Sequence, residues 1–95
     1  MSEINSTVLK LSNDVFGNES FALKEKLNQL LEDGIVQITL DLSKVEIIDS
    51  VGLGVLLKTH QKLSQVSGTL SLQKVNPSIT DLLEMTHLDQ YLKVI

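Results

Sequence analysis

The apolar residues change period along the chain, and the pattern predicts an α/β domain: a mixed, mostly parallel sheet of four to five strands with at least three helices packed on it. Short β-branched or alternating runs are separated by longer stretches with the 3.6-residue period of an amphipathic helix. Turn and cap residues, among them Gly34, Gly68 and the Asn76-Pro77 pair, fall between these runs. A strand-helix alternation of this kind needs crossover connections, which favour parallel pairing and helices laid on the sheet.

Thr7 to Leu11 alternates weakly and reads as a first short strand. Ser12 to Asn18 is a polar turn containing Gly17. Asn18 is a candidate N-cap, followed by Glu19 where a carboxylate suits the helix dipole. From Glu19 to Asp33, Leu23, Leu27, Leu30 and Leu31 share one helical face, with Lys24, Glu25, Asn28 and Glu32 away from it. Gly34 supplies the left-handed residue that ends such a helix. Ile35 to Leu42 is apolar at both parities near its start, the pattern of a central strand covered on both faces.

Asp41 to Lys44 reads as a turn, and Val45 to Ile48 as a short apolar segment ending at Asp49. The second helix is expected from Ser50 to about Gln65, with Leu53, Leu56, Leu57, His60 and Leu63 inside and Gly68 closing it. Thr69 to Val75 is a further strand with Leu70 and Leu72 on one face. Asn76 caps a third helix with Pro77 at its first position, where a missing N–H costs nothing. Ile79, Leu82, Leu83 and Thr86 form its apolar side. Tyr91 to Ile95 reads as a last strand.

The 95 residues suffice for one core, so residues 1–95 read as a single domain. Aromatics are limited to Phe16, Phe21 and Tyr91, which leaves the core to Leu, Ile and Val. The formal net charge is -4 and arginine is absent, with no cluster of cations in the sequence. That excludes a reader of phosphate backbones and a direct membrane binder, both of which depend on concentrated positive charge. No cysteine is present, so disulfides and thiol chemistry are excluded. The polar start, Met1 to Asn5, lacks the pattern of a secretory signal. Val51 to Leu57 is far short of the roughly 20 apolar residues of a membrane span. A cytoplasmic protein is expected.

One stretch carries chemical information: Asp41-Leu42-Ser43-Lys44-Val45-Glu46-Ile47-Ile48-Asp49-Ser50-Val51-Gly52-Leu53-Gly54. It runs from the buried strand into the second helix. Ser50 is placed at the N-cap, with Gly52 and Gly54 in the first turn. Each glycine weakens a helix by roughly 1 kcal/mol relative to alanine. Either a partner chain, a phosphate or a neighbouring element approaches the bare backbone, or the glycines let the helix pack tightly on the sheet.

The Asp-Ser-x-Gly-Leu-Gly string, the Asp-Leu-Ser-x-Val turn before it and the Val75-Asn76-Pro77 helix start with Leu88 beyond it resemble the STAS domain family, across about Leu9 to Ile95. The best-known soluble members are anti-sigma-factor antagonists. The resemblance implies a non-enzymatic binding module that needs no cofactor. Its partner would be an anti-sigma factor that is also a serine kinase, with a serine phosphatase as a further partner. It implies phosphorylation of Ser50 and a contact surface of Asp14, Phe16, Asp49, Ser50, Val51, Gly52, Leu53 and Gly54. The unmodified module would bind the anti-sigma factor, and the phosphorylated one would not. STAS modules also serve as unphosphorylated docking subunits of transport or stress-sensing complexes, which is the competing expectation.

The chain departs from the family pattern in three places. It offers one strand before the first helix where relatives have two. Asn13-Asp14-Val15-Phe16-Gly17 replaces a loop with a glycine and an aspartate, at positions matched to Asn13 and Phe16. Phe16 is either a partner contact or a loop anchor. The sequence also stops after the last strand, without the terminal helix common in relatives.

Other chemistries fit poorly. A hydrolase needs a base beside Ser50, and the two histidines, His60 and His87, lie far along the chain. His60 is expected at the core edge with a local hydrogen bond. Gly52-Leu53-Gly54 lacks the third glycine of a dinucleotide fingerprint, because Leu57 stands there. Asp14, Asp41 and Asp49 are explained by turns and caps without a metal.

Overall fold

The computed structural model describes residues 5–95; Met1 to Ile4, most of the polar start, lie outside the described residues. The elements in chain order are β1 (Ser6–Lys10), α1 (Asn18–Glu32), β2 (Gln37–Asp41), α2 (Ser50–Ser64), β3 (Thr69–Gln73), α3 (Pro77–Met85), a 3-10 turn (Leu88–Gln90) and β4 (Lys93–Val94). The strands form one four-stranded sheet in the order β1-β2-β3-β4. All three pairings are parallel, so the sheet is purely parallel among the described residues rather than mixed.

Strands that add in one direction through right-handed crossovers place every helix on the same face. Burial follows that geometry. Ile38, Leu40, Leu70 and Leu72 are buried on the helix side. Ser6, Gln37 and Thr69 share one register row on the other side, and Val8, Thr39, Ser71 and Lys93 share the next. Gln37 and Val8 are exposed. The expectation that β2 is covered on both faces is therefore corrected: Gln37 and Thr39 lie on a polar face that no helix covers, and only Asp41, at the strand's end, is buried among the odd positions.

The core joins Leu23 and Leu27 of α1, Val55, Leu56 and Leu63 of α2, and Ile79 and Leu83 of α3 to the inner face of the sheet. The inner stripe of α2 is rotated from the expected one. Val55 and Thr59 are buried, while Leu53, Leu57 and His60 lie at the margin. Thr59 can be buried because its hydroxyl donates to the Val55 carbonyl at 2.8 Å. His60 fulfils its expected edge role, with its carbonyl accepting from Ser64 Oγ at 2.9 Å and its ring near Tyr91.

β1, β2 and β3 differ by one or two residues at their ends from the expected spans, and three other boundaries differ for a physical reason. α1 is preceded by Gly17 at φ +58°, with no side-chain cap; Asn18 is already helical. After α2 the positive φ belongs to Ser67, not Gly68. Gly68 is required for a different reason: a Cβ there would run into the Val36 carbonyl oxygen. The last strand is two residues long, because Leu88–Gln90 first forms a 3-10 turn. Gly34 ends α1 at φ +82°, as expected, and Asn76 caps α3 through Oδ1, which accepts from Ser78 N at 2.9 Å and Ile79 N at 3.2 Å.

Candidate functional site

The start of α2 is built by two loops stitched together. Asp14 Oδ1 accepts from the backbone N–H of Glu46 at 2.8 Å and of Ile47 at 3.3 Å. Val15 donates to the Ile47 carbonyl at 2.8 Å, and Asp49 donates back to the Val15 carbonyl at 2.9 Å. Val15 and Ile48 thus form an isolated parallel bridge. Both are buried apolar residues, so the bridge is anchored in the core.

Asp49, not Ser50, is the N-cap of α2. Its backbone is extended (φ −87°, ψ 177°) and its Oδ1 accepts from Gly52 N at 2.7 Å. The same oxygen accepts from Ser20 Oγ at 2.8 Å, and Oδ2 accepts from Gly17 N at 3.0 Å. One carboxylate therefore caps its own helix, holds the first turn of α1 and receives the otherwise unpaired N–H of Gly17. These donors, Gly52 first, then Gly17 and Ser20, hold the Asp49 carboxyl below its ordinary pKa. Asp41 is similarly lowered by hydrogen bonding from Ser43 in the turn after β2.

Ser50 occupies the first helical position and is exposed. The placement at the N-cap is corrected by one residue. A carboxylate accepting charge-assisted bonds is the stronger acceptor, and the Asp49 backbone has the extended geometry that a cap requires.

The two glycines have separate roles. Gly52 is buried, and a Cβ on it would lie 2.8 Å from Val15 Cγ1 and 2.9 Å from Ile48 Cγ2. Its bareness serves internal packing, so it is removed from the set of surface contacts. Gly54 is exposed with open space where a Cβ would be. Leu53 is half-buried and packs on the core. Asp14 and Asp49 are turned into the stitching. Phe16, Val51 and Ile47 are 54%, 45% and 53% exposed, respectively, around the same cluster. Sequence reasoning missed Ile47, and it missed Gly17 and Ser20 as supports for Asp49. Only the fold brings those two positions beside it.

No helix among the described residues is long and apolar enough to cross a membrane. Three of the described aspartates have structural duties near this site: Asp14 and Asp49 in the stitching, Asp41 in the turn.

The STAS domain family model matches residues 2–95. A curated relative from Thermotoga neapolitana, named as the homologue of a "putative anti-sigma factor antagonist", is 31% identical over 93 residues, covering 96% of this chain and 82% of the relative. A crystal structure of the Thermotoga maritima protein of that description superposes with a TM-score of 0.88 at 27% identity, covering 95% of this chain and 78% of the other. The anti-sigma factor antagonist SpoIIAA in its unphosphorylated form has the same fold, with a TM-score of 0.78 at 17% identity over 100% of this chain and 83% of that one. The phosphorylated form of SpoIIAA, a Bacillus protein, superposes at 0.76 with 18% identity, covering 100% of this chain and 86% of that one. The chain belongs to the STAS domain family, a non-catalytic class of α/β module.

Proposed function

We propose that this protein is an anti-sigma-factor antagonist that binds a serine-kinase anti-sigma factor when Ser50 is unmodified and releases it when Ser50 is phosphorylated. The observation that carries the reading is the division of labour at the start of α2. Asp49 does the capping from the inside, while Ser50 stands exposed beside it at the first helical position.

Phosphorylation joins Ser50 Oγ to the γ-phosphorus of ATP, breaks the bond to ADP and passes the hydroxyl proton to a base of the kinase. The product carries about -1.5 to -2 charge at neutral pH. The N-terminus of α2 favours that charge, so the fold tolerates it. A fitted partner does not. Phe16, Ile47 and Val51 make the surroundings apolar, and a dianion covered there loses water without gaining a counter-charge. Phe16, Ser50, Val51 and Gly54 form the contact surface, held from beneath by Asp14, Asp49, Gly52 and Leu53.

Mass spectrometry after incubation with the anti-sigma kinase and ATP is expected to place one phosphate on Ser50. Label on Ser43, exposed in the turn after β2, overturns the assignment. Titration of Ser50→Asp against the unmodified kinase is expected to weaken binding at least about tenfold with a normal melting curve. Normal melting with undiminished binding moves the docking surface elsewhere and favours an unphosphorylated docking subunit.

A further inference from the structure

α1 and α2 leave a groove between them whose two ends differ in chemistry. Near Ser50 it is lined by Phe21, Val51 and Gly54; farther along it is lined by Lys24, Lys58 and Lys62. Phe21 is 56% exposed, an unusual position for one of only two phenylalanines in the chain. All three lysines are exposed, and no carboxylate is among the groove's lining residues. Among the described residues none of the three forms an ion pair. Lys62 Nζ instead donates across the groove to Asn28 Oδ1 at 3.2 Å.

This is a local reversal of sign. The chain has 12 acidic and 8 basic residues, yet three of those eight cations line one groove. Lys58 and Lys62 are four residues apart on one helix, a spacing that disfavours like charges. The cleft that precedes Ser50 has the opposite character: Ile47, Leu82 and Met85 with Glu46 and Asp81.

We propose that the α1–α2 groove receives an acidic amphipathic helix of the partner protein. Its apolar stripe covers Phe21, Val51 and Gly54, and its carboxylates meet Lys24, Lys58 and Lys62. Gly54 lets the incoming backbone approach closely, because nothing occupies the space above it. The sign difference between the two clefts repels the same helix from the α3 side and fixes its placement relative to Ser50. The inference deepens the reading of Ser50 as a docking switch by naming the element that docks, and its test needs no kinase, so each can fail alone.

The test uses the whole 15N-labelled chain and a synthetic helical peptide of about 15 residues, four turns, with leucines on one stripe and glutamates beside it. The expected result is amide shifts confined to the groove, around Phe21, Lys24, Val51, Gly54, Lys58 and Lys62. Replacing the glutamates by lysines is expected to abolish the shifts. Lys58→Glu with Lys62→Glu is expected to weaken binding at least about tenfold at an unchanged melting temperature. Raising NaCl from about 0.05 M to about 0.5 M is expected to weaken it as well. No shifts, shifts outside the groove, or an equal response to the lysine peptide overturns the proposal. So does tighter binding of phosphatidylglycerol vesicles or single-stranded RNA through the same lysines.

Discussion

The starts of α2 and α3 use one capping device and leave different things open. Asp49 and Asn76 both sit in extended backbone and offer a side-chain oxygen to the first turn. The Asn76 oxygen works locally: it accepts from the N–H groups of Ser78 and Ile79 and from Ser78 Oγ at 2.6 Å. The Asp49 carboxylate reaches out of its helix to Gly17 and Ser20, and so ties α2 to α1. The next residue completes the contrast. Pro77 pre-sets the helix and presents no reactive atom. Ser50 presents a hydroxyl to solvent. A helix start is available for modification when the residue before it does the capping, because stability and chemistry then rest on different side chains.

The hardest way to break this contrast is at the caps themselves. Asp49→Ala removes bonds to Gly52, Gly17 and the buried Ser20 hydroxyl at once. It is expected to lower the melting temperature by on the order of 10 °C. Asn76→Ala, which loses a cap and one long Nδ2 donation to the Val45 carbonyl at 3.4 Å, is expected to cost about 1 kcal/mol, or roughly 4–8 °C. Acid titration sharpens the same comparison. The folded pKa of Asp49 lies below its ordinary 3.8, so its contribution is present above that value and fades as pH falls through the folded pKa. Asp49→Asn is expected to remove that part of the acid sensitivity, and Asn76→Asp, which puts a carboxylate on the donors of Ser78 and Ile79, is expected to add some. Equal effects of Asp49→Ala and Asn76→Ala would show that the link to α1 contributes no more than the single bond from Asn76 to the Val45 carbonyl.

The glycine pair gives the next largest effect. Gly52→Ala forces a methyl into Val15 and Ile48 and is expected to destabilise by about 1–3 kcal/mol in denaturant unfolding. Gly54→Ala enters open space and is expected to stabilise the helix by up to about 1 kcal/mol. The smallest effect belongs to Ser50→Ala, expected within about 0.5 kcal/mol of the parent because Asp49 carries the cap. A clear loss of stability in Ser50→Ala would return the capping role to Ser50.

Much of the fold was legible from period and punctuation. The leucine spacing of α1, the positive φ of Gly34 and the Asn76-Pro77 start of α3 are local signals, and the structure repeats them. Features set by a neighbour were not legible. Gly68 reads as a helix stop, yet its need comes from the Val36 carbonyl, distant in sequence. The buried pattern of β2 depends on which face the helices take, which no run of residues records. At the site, Asp49-Ser50 could be located but not ranked. The choice of cap depends on Gly17 and Ser20, and their approach is a product of the Val15–Ile48 bridge.

The strand order follows the order of synthesis. As the chain leaves the ribosome, each strand finds its neighbour already made, and none must wait to be inserted between two others. Every contact that builds the capping cluster lies between residue 14 and residue 54. The hydrogen bonds that position Ser50 therefore draw on the first half of the chain alone, and β3, α3 and β4 serve the site only through the core beneath it.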